Sequence, residues 1–537
     1  MTMISNPILK GFNPDPSIVR VGDDYYIATS TFEWFPGVQL HHSKDLVHWE
    51  LIGHPLDERR LLDMTGNPNS GGIWAPCLSY HEGVFYLIYT DVKSLAGAFK
   101  DTPNYLTTAT DIRGPWSDPV YLNSSGFDPS LFHDDDGRKW FLNMIWDHRK
   151  NRNPFYGIVL QEYSVTEQKL IGPKELIFKG TELGCTEGPH IYKRNGWYYL
   201  MVAEGGTGYE HAVTVARSRS LEGPYEVDPE NPILTSHGDP SLLLQKAGHA
   251  SLVETQNGEW YMVHLCSRPL PGLEQSPLGR ETAIQQCQWT EDGWIRPVHG
   301  QRPQVEVQSP NLPAAPVAIP AEQDHFDEVS LNVHYSTLRE PAEDSWLSLT
   351  ERPGYLRLYG RHSLNAHFSQ SLVAKRIQHF EFEAETAVEF EPEHFQQMAG
   401  LVCYYNSKNY YYLRISRDEV LGKTLNVLTS DNGANDELLS EELPIEDWGT
   451  RCYLKVQIQG SELQFLASPD GESWLTIGEP LPFGHLSDEY ATRHVNGSFT
   501  DWGFTGAFVG LCVQDLSGEK KPADFDYFSS GVFRSPR

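Results

Sequence analysis

The sequence has no run approaching about 18 consecutive apolar residues, so it offers no helix able to span a membrane. Its start, Met-Thr-Met-Ile-Ser-Asn-Pro, lacks the basic residues and apolar core of a secretory signal, which predicts a cytoplasmic location. Positive charge is scarce: 42 Lys and Arg stand against 72 Asp and Glu, a formal net charge of −30. That balance argues against nucleic acids and anionic membranes as partners, because both are held by basic patches. An uncharged ligand such as a sugar is compatible with it. Cysteine is thin too, with seven scattered residues and no Cys-x-x-Cys. Each lies in or beside an apolar run, which predicts free buried thiols rather than disulfides or metal ligands.

What the chain has instead is aromatic residues, including 14 Trp and 26 Tyr, and an internal repeat. Asn13-Pro-Asp-Pro-Ser-Ile18 is restated closely at Asp128-Pro-Ser-Leu131. Looser copies stand at Ala75-Pro-Cys-Leu78, Glu187-Gly-Pro-His-Ile191 and His249-Ala-Ser-Leu252. Each is followed by a Gly and then an aromatic pair, and the five glycines (22, 83, 137, 196 and 258) recur every 54 to 62 residues. A period of that length signals a repeat architecture. Each copy opens on a β-hairpin, as in Pro16 to Ser30, with β-branched and aromatic residues on both arms. A second hairpin follows clearly in the first, second and fourth copies. Two hairpins make a four-stranded blade, and five blades predict a five-bladed β-propeller over residues 1–308.

The composition then shifts. Ser309 to Pro320 carries four prolines in twelve residues and reads as a semi-rigid extended linker. Beyond it, segments such as Phe380 to Glu391 alternate apolar with acidic residues, and Met398 to Ile415 reads as a hairpin turning at Asn406 to Asn409. Residues 321–537 are therefore expected to form an antiparallel β-sandwich, making the chain all-β with little helix.

The propeller gives the repeat's opening residues a shared location at one end of the central channel. In order these are Asp15, Ala75 (preceded by Trp74), Asp128, Glu187 and His249. One Asp-Pro-Ser is an ordinary turn opener, but three carboxylates at equivalent positions repel one another and lose hydration. Two carboxyls with separated roles are what hydrolysis of a glycosidic bond needs, one protonated to meet the leaving oxygen and one ionised to activate water. Shared burial splits their pKa values. His249 reads as a hydrogen-bonding or channel-plugging imidazole, and Arg280 alone as a surface charge. Phe32, Trp74 and Trp146 fit both blade core and sugar stacking. His148, Arg149 and Lys150 read as a solvated loop.

Five segments together resemble glycoside hydrolase family 43: residues 11–18, 25–38, 72–76, 127–130 and 186–190. The likeness extends over the whole chain, including 506–510 and 522–528. It implies an inverting enzyme, nearest the β-1,4-xylosidases of that family, removing xylose from the non-reducing end of xylo-oligosaccharides. It also implies a general base at Asp15, a general acid at Glu187, and a pKa modulator and orienting carboxylate at Asp128. Arg280 matches the arginine on the terminal sugar, His249 the axial histidine, and Phe32, Trp74 and Trp146 the pocket walls. Some relatives hold calcium beside that histidine; no cofactor is otherwise implied. A Phe from the sandwich closes the pocket in relatives of this size, and Phe504 is the candidate, with Phe508 expected to point into the sandwich core. The family also contains α-L-arabinofuranosidases. A non-catalytic carbohydrate-binding protein is the reading from another class, and a homo-oligomer is left open.

Overall fold

Short β-branched and aromatic runs that turn on glycine fold into four-stranded antiparallel sheets, and a computed structural model of the chain describes residues 2–495 and 498–533. The five repeat glycines sit in the hairpin turns with φ between 62° and 85°, a conformation glycine adopts without steric cost. The first blade comprises Ser17–Val21, Asp24–Thr29, Gln39–Ser43 and Glu50–Gly53. The second runs from Gly72–His81 to Val120–Asn123, and the third from Ser130–His133 to Lys169–Phe178. The fourth and fifth start at Glu187–Arg194 and Gln245–Glu254. The second hairpins that are faint in sequence in blades three and five are present: Phe155–Ser164 with Lys169–Phe178, and Arg280–Trp289 with Ile295–Pro297. The all-β, five-bladed expectation holds.

Neighbouring blades pack face to face through apolar side chains; Phe35, Leu40, Ile73, Leu87 and Trp116 bury together between the first two. The N-terminal segment closes the ring. Met3–Ser5 pairs with Glu306–Gln308. Next to it, the side chain of Asn6 exchanges hydrogen bonds with the Ile284 backbone at 2.7 and 2.8 Å. Leu9 and Thr282 trade backbone bonds at 3.1 and 3.2 Å.

The chain divides into two compact units: Met1–Arg268 with Arg280–Ala318, and Pro269–Gly279 with Ile319–Arg537. The excursion Pro269–Gly279, which the sequence placed in the propeller, thus groups with the second unit. Most of the proline-rich segment belongs to the first, where it is pinned rather than free. Ala315 N–H donates to Asp45 (2.8 Å), Asn311 N–H to Glu259 (3.0 Å), and Leu312 packs on the cluster around Ile4 and Val307.

The second unit is a two-sheet sandwich. One sheet includes Leu356–Tyr359, Pro522–Val532, Glu381–Glu389, Arg451–Gln459, Glu462–Ser468 and Leu475–Pro482; the other includes Ser371–Arg376, Phe508–Asp515, Gln397–Asn406, Asn409–Asp418 and Gly422–Asp431. Alternation works as expected on Glu381–Glu389, where Phe382, Ala384 and Val388 join the core and the acidic residues face away from it. Among the described residues the α-helix is limited to Asp488–Ala491, capped by the Ser487 hydroxyl. All seven cysteines are free, six of them buried.

Candidate active site

Each blade opens with a kink. Asp15 (φ 54°), Ala75 (38°), Asp128 (55°), Gly188 (57°) and His249 (48°) all lie in the left-handed region. For the four that are not glycine this stores roughly 1–3 kcal/mol each, of the kind that collects at functional sites. The positions correct one expectation. Gly188, not Glu187, is the structural counterpart of Asp15 and Asp128; Glu187 stands one residue earlier, level with Trp74 and Phe127. Glu187 therefore precedes the left-handed residue of its blade, whereas Asp15 and Asp128 are themselves that residue. A Cβ at Gly188 would lie 3.0 Å from the His249 ring, so a larger residue there would have to push that ring aside.

The serine of the Asp-Pro-Ser motif proves to be a staple between blades. Ser17 Oγ accepts from Leu78 N–H (2.9 Å), Ser130 Oγ donates to the Pro189 carbonyl (2.6 Å), and Ser251 Oγ accepts from Ile18 N–H (3.1 Å). These bonds hold Asp15, Asp128 and His249, each two positions upstream, at fixed places round the channel.

The charged groups converge within the first unit. Asp15 Oδ2 accepts from Ser30 Oγ (2.7 Å), which itself accepts from Ala75 N–H (2.7 Å). Asp15 Oδ1 accepts from the Arg280 guanidinium (3.2 Å), which also donates to Thr207 Oγ1 (2.9 Å) and lies 5.1 Å over the Phe32 ring. A carboxylate has about four lone-pair directions, so Asp15 keeps capacity for a water. His249 Nδ1 stands 4.0 Å from Asp15 and 3.9 Å from Asp128. Asp128 Oδ2 accepts from Gly188 N–H (3.0 Å), tying it to the backbone beside Glu187.

Burial divides these carboxyls. Burial, and less strongly Asp15, pushes Asp128 up to about 6 against the pull of His249, Gly188 and Arg280. Glu187 is held well above the usual carboxylate range, first by burial, then by the charges of Asp128 and Asp15, with Arg280 opposing. Of the three carboxyls, Glu187 is thus the one whose surroundings most favour its protonated form. Its strand start is anchored by buried Glu204, which accepts from Thr181 N–H (2.7 Å) and from the hydroxyls of Thr181 (2.8 Å), Thr186 (2.8 Å) and Thr214 (2.7 Å).

Aromatic rings extend from this cluster. Phe12, Phe32, Trp74 and Phe127 follow one another at centroid separations of 5.7, 5.8 and 5.3 Å, and Phe127 leads to Trp146 at 6.3 Å. Trp74 Nε1 donates to the Ser70 carbonyl (2.9 Å) and Trp146 Nε1 to the Ala98 carbonyl (3.0 Å). The structure thus brings together Asp15, Asp128, Glu187, His249, Arg280, Phe32, Trp74 and Trp146. Phe504 lies in the second unit, half-buried and 5.3 Å from the Trp502 ring. The orientation of Phe508 is a correction: Val509, Leu511 and Val513 fill the sandwich core, whereas Phe508 is buried on the opposite face with the Arg376 guanidinium 5.1 Å away. Ser30, Thr207, Phe127 and Glu204 escaped sequence reasoning. Only Glu204, a lone acid ending the apolar strand Trp197–Glu204, carried a signal there.

Residues 4–295 match glycosyl hydrolases family 43, and residues 323–530 match the beta xylosidase C-terminal Concanavalin A-like domain. The chain belongs to family 43. It is 53% identical over 534 residues to a beta-xylosidase of Bacillus subtilis, covering 98% of this chain and 99% of that one. It is 50% identical to a xylosidase/arabinosidase of Humicola insolens, covering 98% and 97%. The crystal structure of xylan beta-1,4-xylosidase from Bacillus halodurans C-125 superposes with a TM-score of 0.95 at 58% identity, covering 98% and 99%.

The calcium seen beside the axial histidine in some family 43 proteins finds no protein cage here. Calcium takes about 6–8 oxygen ligands, and His249 offers nitrogen with its nearest carboxylate oxygens 3.9 and 4.0 Å off. Among the described residues no group of three or more His, Cys, Asp or Glu is placed to hold a metal.

Proposed function

We propose that this family 43 chain is an exo-acting β-1,4-xylosidase that inverts the anomeric carbon as it releases xylose from the non-reducing end of xylo-oligosaccharides. The observation that carries the reading is the convergence of three buried carboxyls, with the pKa of Glu187 raised by burial and by Asp128 and Asp15, and with Asp15 hydrogen-bonded to Ser30 and Arg280. Asp15 takes a proton from water as the water oxygen bonds to the anomeric carbon. Glu187 gives its proton to the glycosidic oxygen as that bond breaks. Asp128 keeps Glu187 protonated through its charge and fixes the adjacent backbone through Gly188. Arg280, paired with Asp15, contacts the terminal sugar, and Phe32, Trp74 and Trp146 supply apolar faces for sugar rings.

Among the described residues no helix is long and apolar enough to cross a membrane. Action on short oligosaccharides inside the cytoplasm belongs to the proposal. The relative named xylosidase/arabinosidase supports a secondary α-L-arabinofuranosidase activity, because the two sugars present similar ring and hydroxyl geometry. Rates on nitrophenyl β-xyloside, nitrophenyl α-L-arabinofuranoside and xylobiose test the reading. The xylosides should have the higher kcat/KM. Turnover of none of them would leave a carbohydrate-binding protein, and a dominant arabinofuranoside would exchange the two activities.

A further inference from the structure

Beyond Trp146, two loops of the first unit meet in an arrangement the catalytic account does not use. The loop between Val84–Val92 and Asn104–Ala109 is fastened to Trp146 on both sides of Phe99. Ala98 accepts the indole N–H at 3.0 Å, and Lys100 Nζ lies 4.5 Å over the indole ring while donating to the Leu95 carbonyl (2.7 Å). The loop after Lys139–Trp146 is braced in turn, with Asp147 accepting from the Arg149 backbone (3.0 Å) and, at 2.9 and 2.7 Å, from its guanidinium. Where the loops meet, Phe99 stacks on His148 with centroids 4.4 Å apart and planes at 26°. One face of Phe99 is backed by the imidazole, yet the residue remains 66% exposed.

An exposed aromatic ring held in one position by a braced scaffold is preorganised to receive a ligand at little cost in side-chain entropy. Its neighbour Trp146 already belongs to the ring series that leads away from Phe32, the ring under the Arg280 guanidinium. A flat ring backed on one face suits the apolar face of a pyranose. We propose that the Phe99–His148 stack is a distal subsite for the second sugar beyond the scissile bond, engaged by xylotriose and longer chains but out of reach of xylobiose. This rests on the xylosidase reading above.

The test is the ratio of kcat/KM on xylotriose to that on xylobiose, measured in the full-length enzyme. Phe99→Ala should lower this ratio about three- to tenfold through KM, the scale of one lost aromatic contact. His148→Ala should lower it in the same direction, and Phe99→Tyr should restore it. A ratio unchanged in Phe99→Ala, or both substrates falling together with no rescue by Tyr, would overturn the subsite and leave the xylosidase reading intact. A wild-type protein inactive on both oligosaccharides would instead overturn that reading and the subsite with it.

Discussion

Replacing Asp15 by Asn is expected to abolish turnover of every xyloside, whatever its leaving group. Water must be deprotonated as it attacks, and losing a general base costs roughly 100- to 10,000-fold. Asn is preferred to Ala because Asp15 is the buried partner of Arg280 at 3.2 Å. Both substitutions remove the charge that faces the guanidinium, but Ala would also leave the Ser30 and Arg280 donors without their acceptor, a loss of roughly 1–3 kcal/mol for a buried group. The amide keeps the Ser30 and Arg280 neighbours in place while removing the basic oxygen. Circular dichroism should show an unchanged fold, and kcat should fall alike on xylobiose and on dinitrophenyl xyloside. Retained activity on either substrate would place the base elsewhere.

Glu187→Ala is expected to separate those two substrates. The xylose expelled from xylobiose is a poor leaving group as an alkoxide and needs Glu187's proton, so kcat on xylobiose should fall by roughly 100-fold or more. Dinitrophenyl xyloside leaves as a stable phenolate and should lose far less. The pH profile supplies a second readout. Glu187 acts in its protonated form and its pKa is raised by burial and by Asp128 and Asp15. Activity on xylobiose is therefore retained below that raised pKa and lost as pH climbs through it. On the activated substrate the alkaline limb should disappear in Glu187→Ala. Equal losses on both substrates, with the limb intact, would remove Glu187 from the acid's role.

The propeller was legible because it is written five times, and copies as faint as His249-Ala-Ser-Leu252 still carried the hairpin glycine and aromatic pair. Glu187's offset was less plain. It is the only carboxylate of the three followed by Gly-Pro rather than Pro, and aligning on the proline would have put Gly188 beside Asp15 and Asp128. Ser30 and Thr207 were invisible since a lone hydroxyl in a loop has no pattern; only the fold brings them to Asp15 and Arg280. Phe508 was misplaced for a physical reason. Every residue of Phe508–Asp515 is buried, so alternation of burial could not tell the core face from the other. The proline-rich stretch predicted an extended backbone, but only three-dimensional neighbours such as Asp45 and Glu259 could reveal that it is fastened down. Likewise the solvated loop read at His148 held a ring stacked on Phe99, a contact between segments about 50 residues apart.

Everything above rests on base and acid acting together in one displacement at the anomeric carbon. Proton NMR of a fresh hydrolysate reads that out directly, before mutarotation mixes the anomers. The account predicts α-xylose as the first-formed product from a β-xyloside. Accumulation of β-xylose first would mean a covalent intermediate and a nucleophile, and would contradict the assignment of Asp15 as a base.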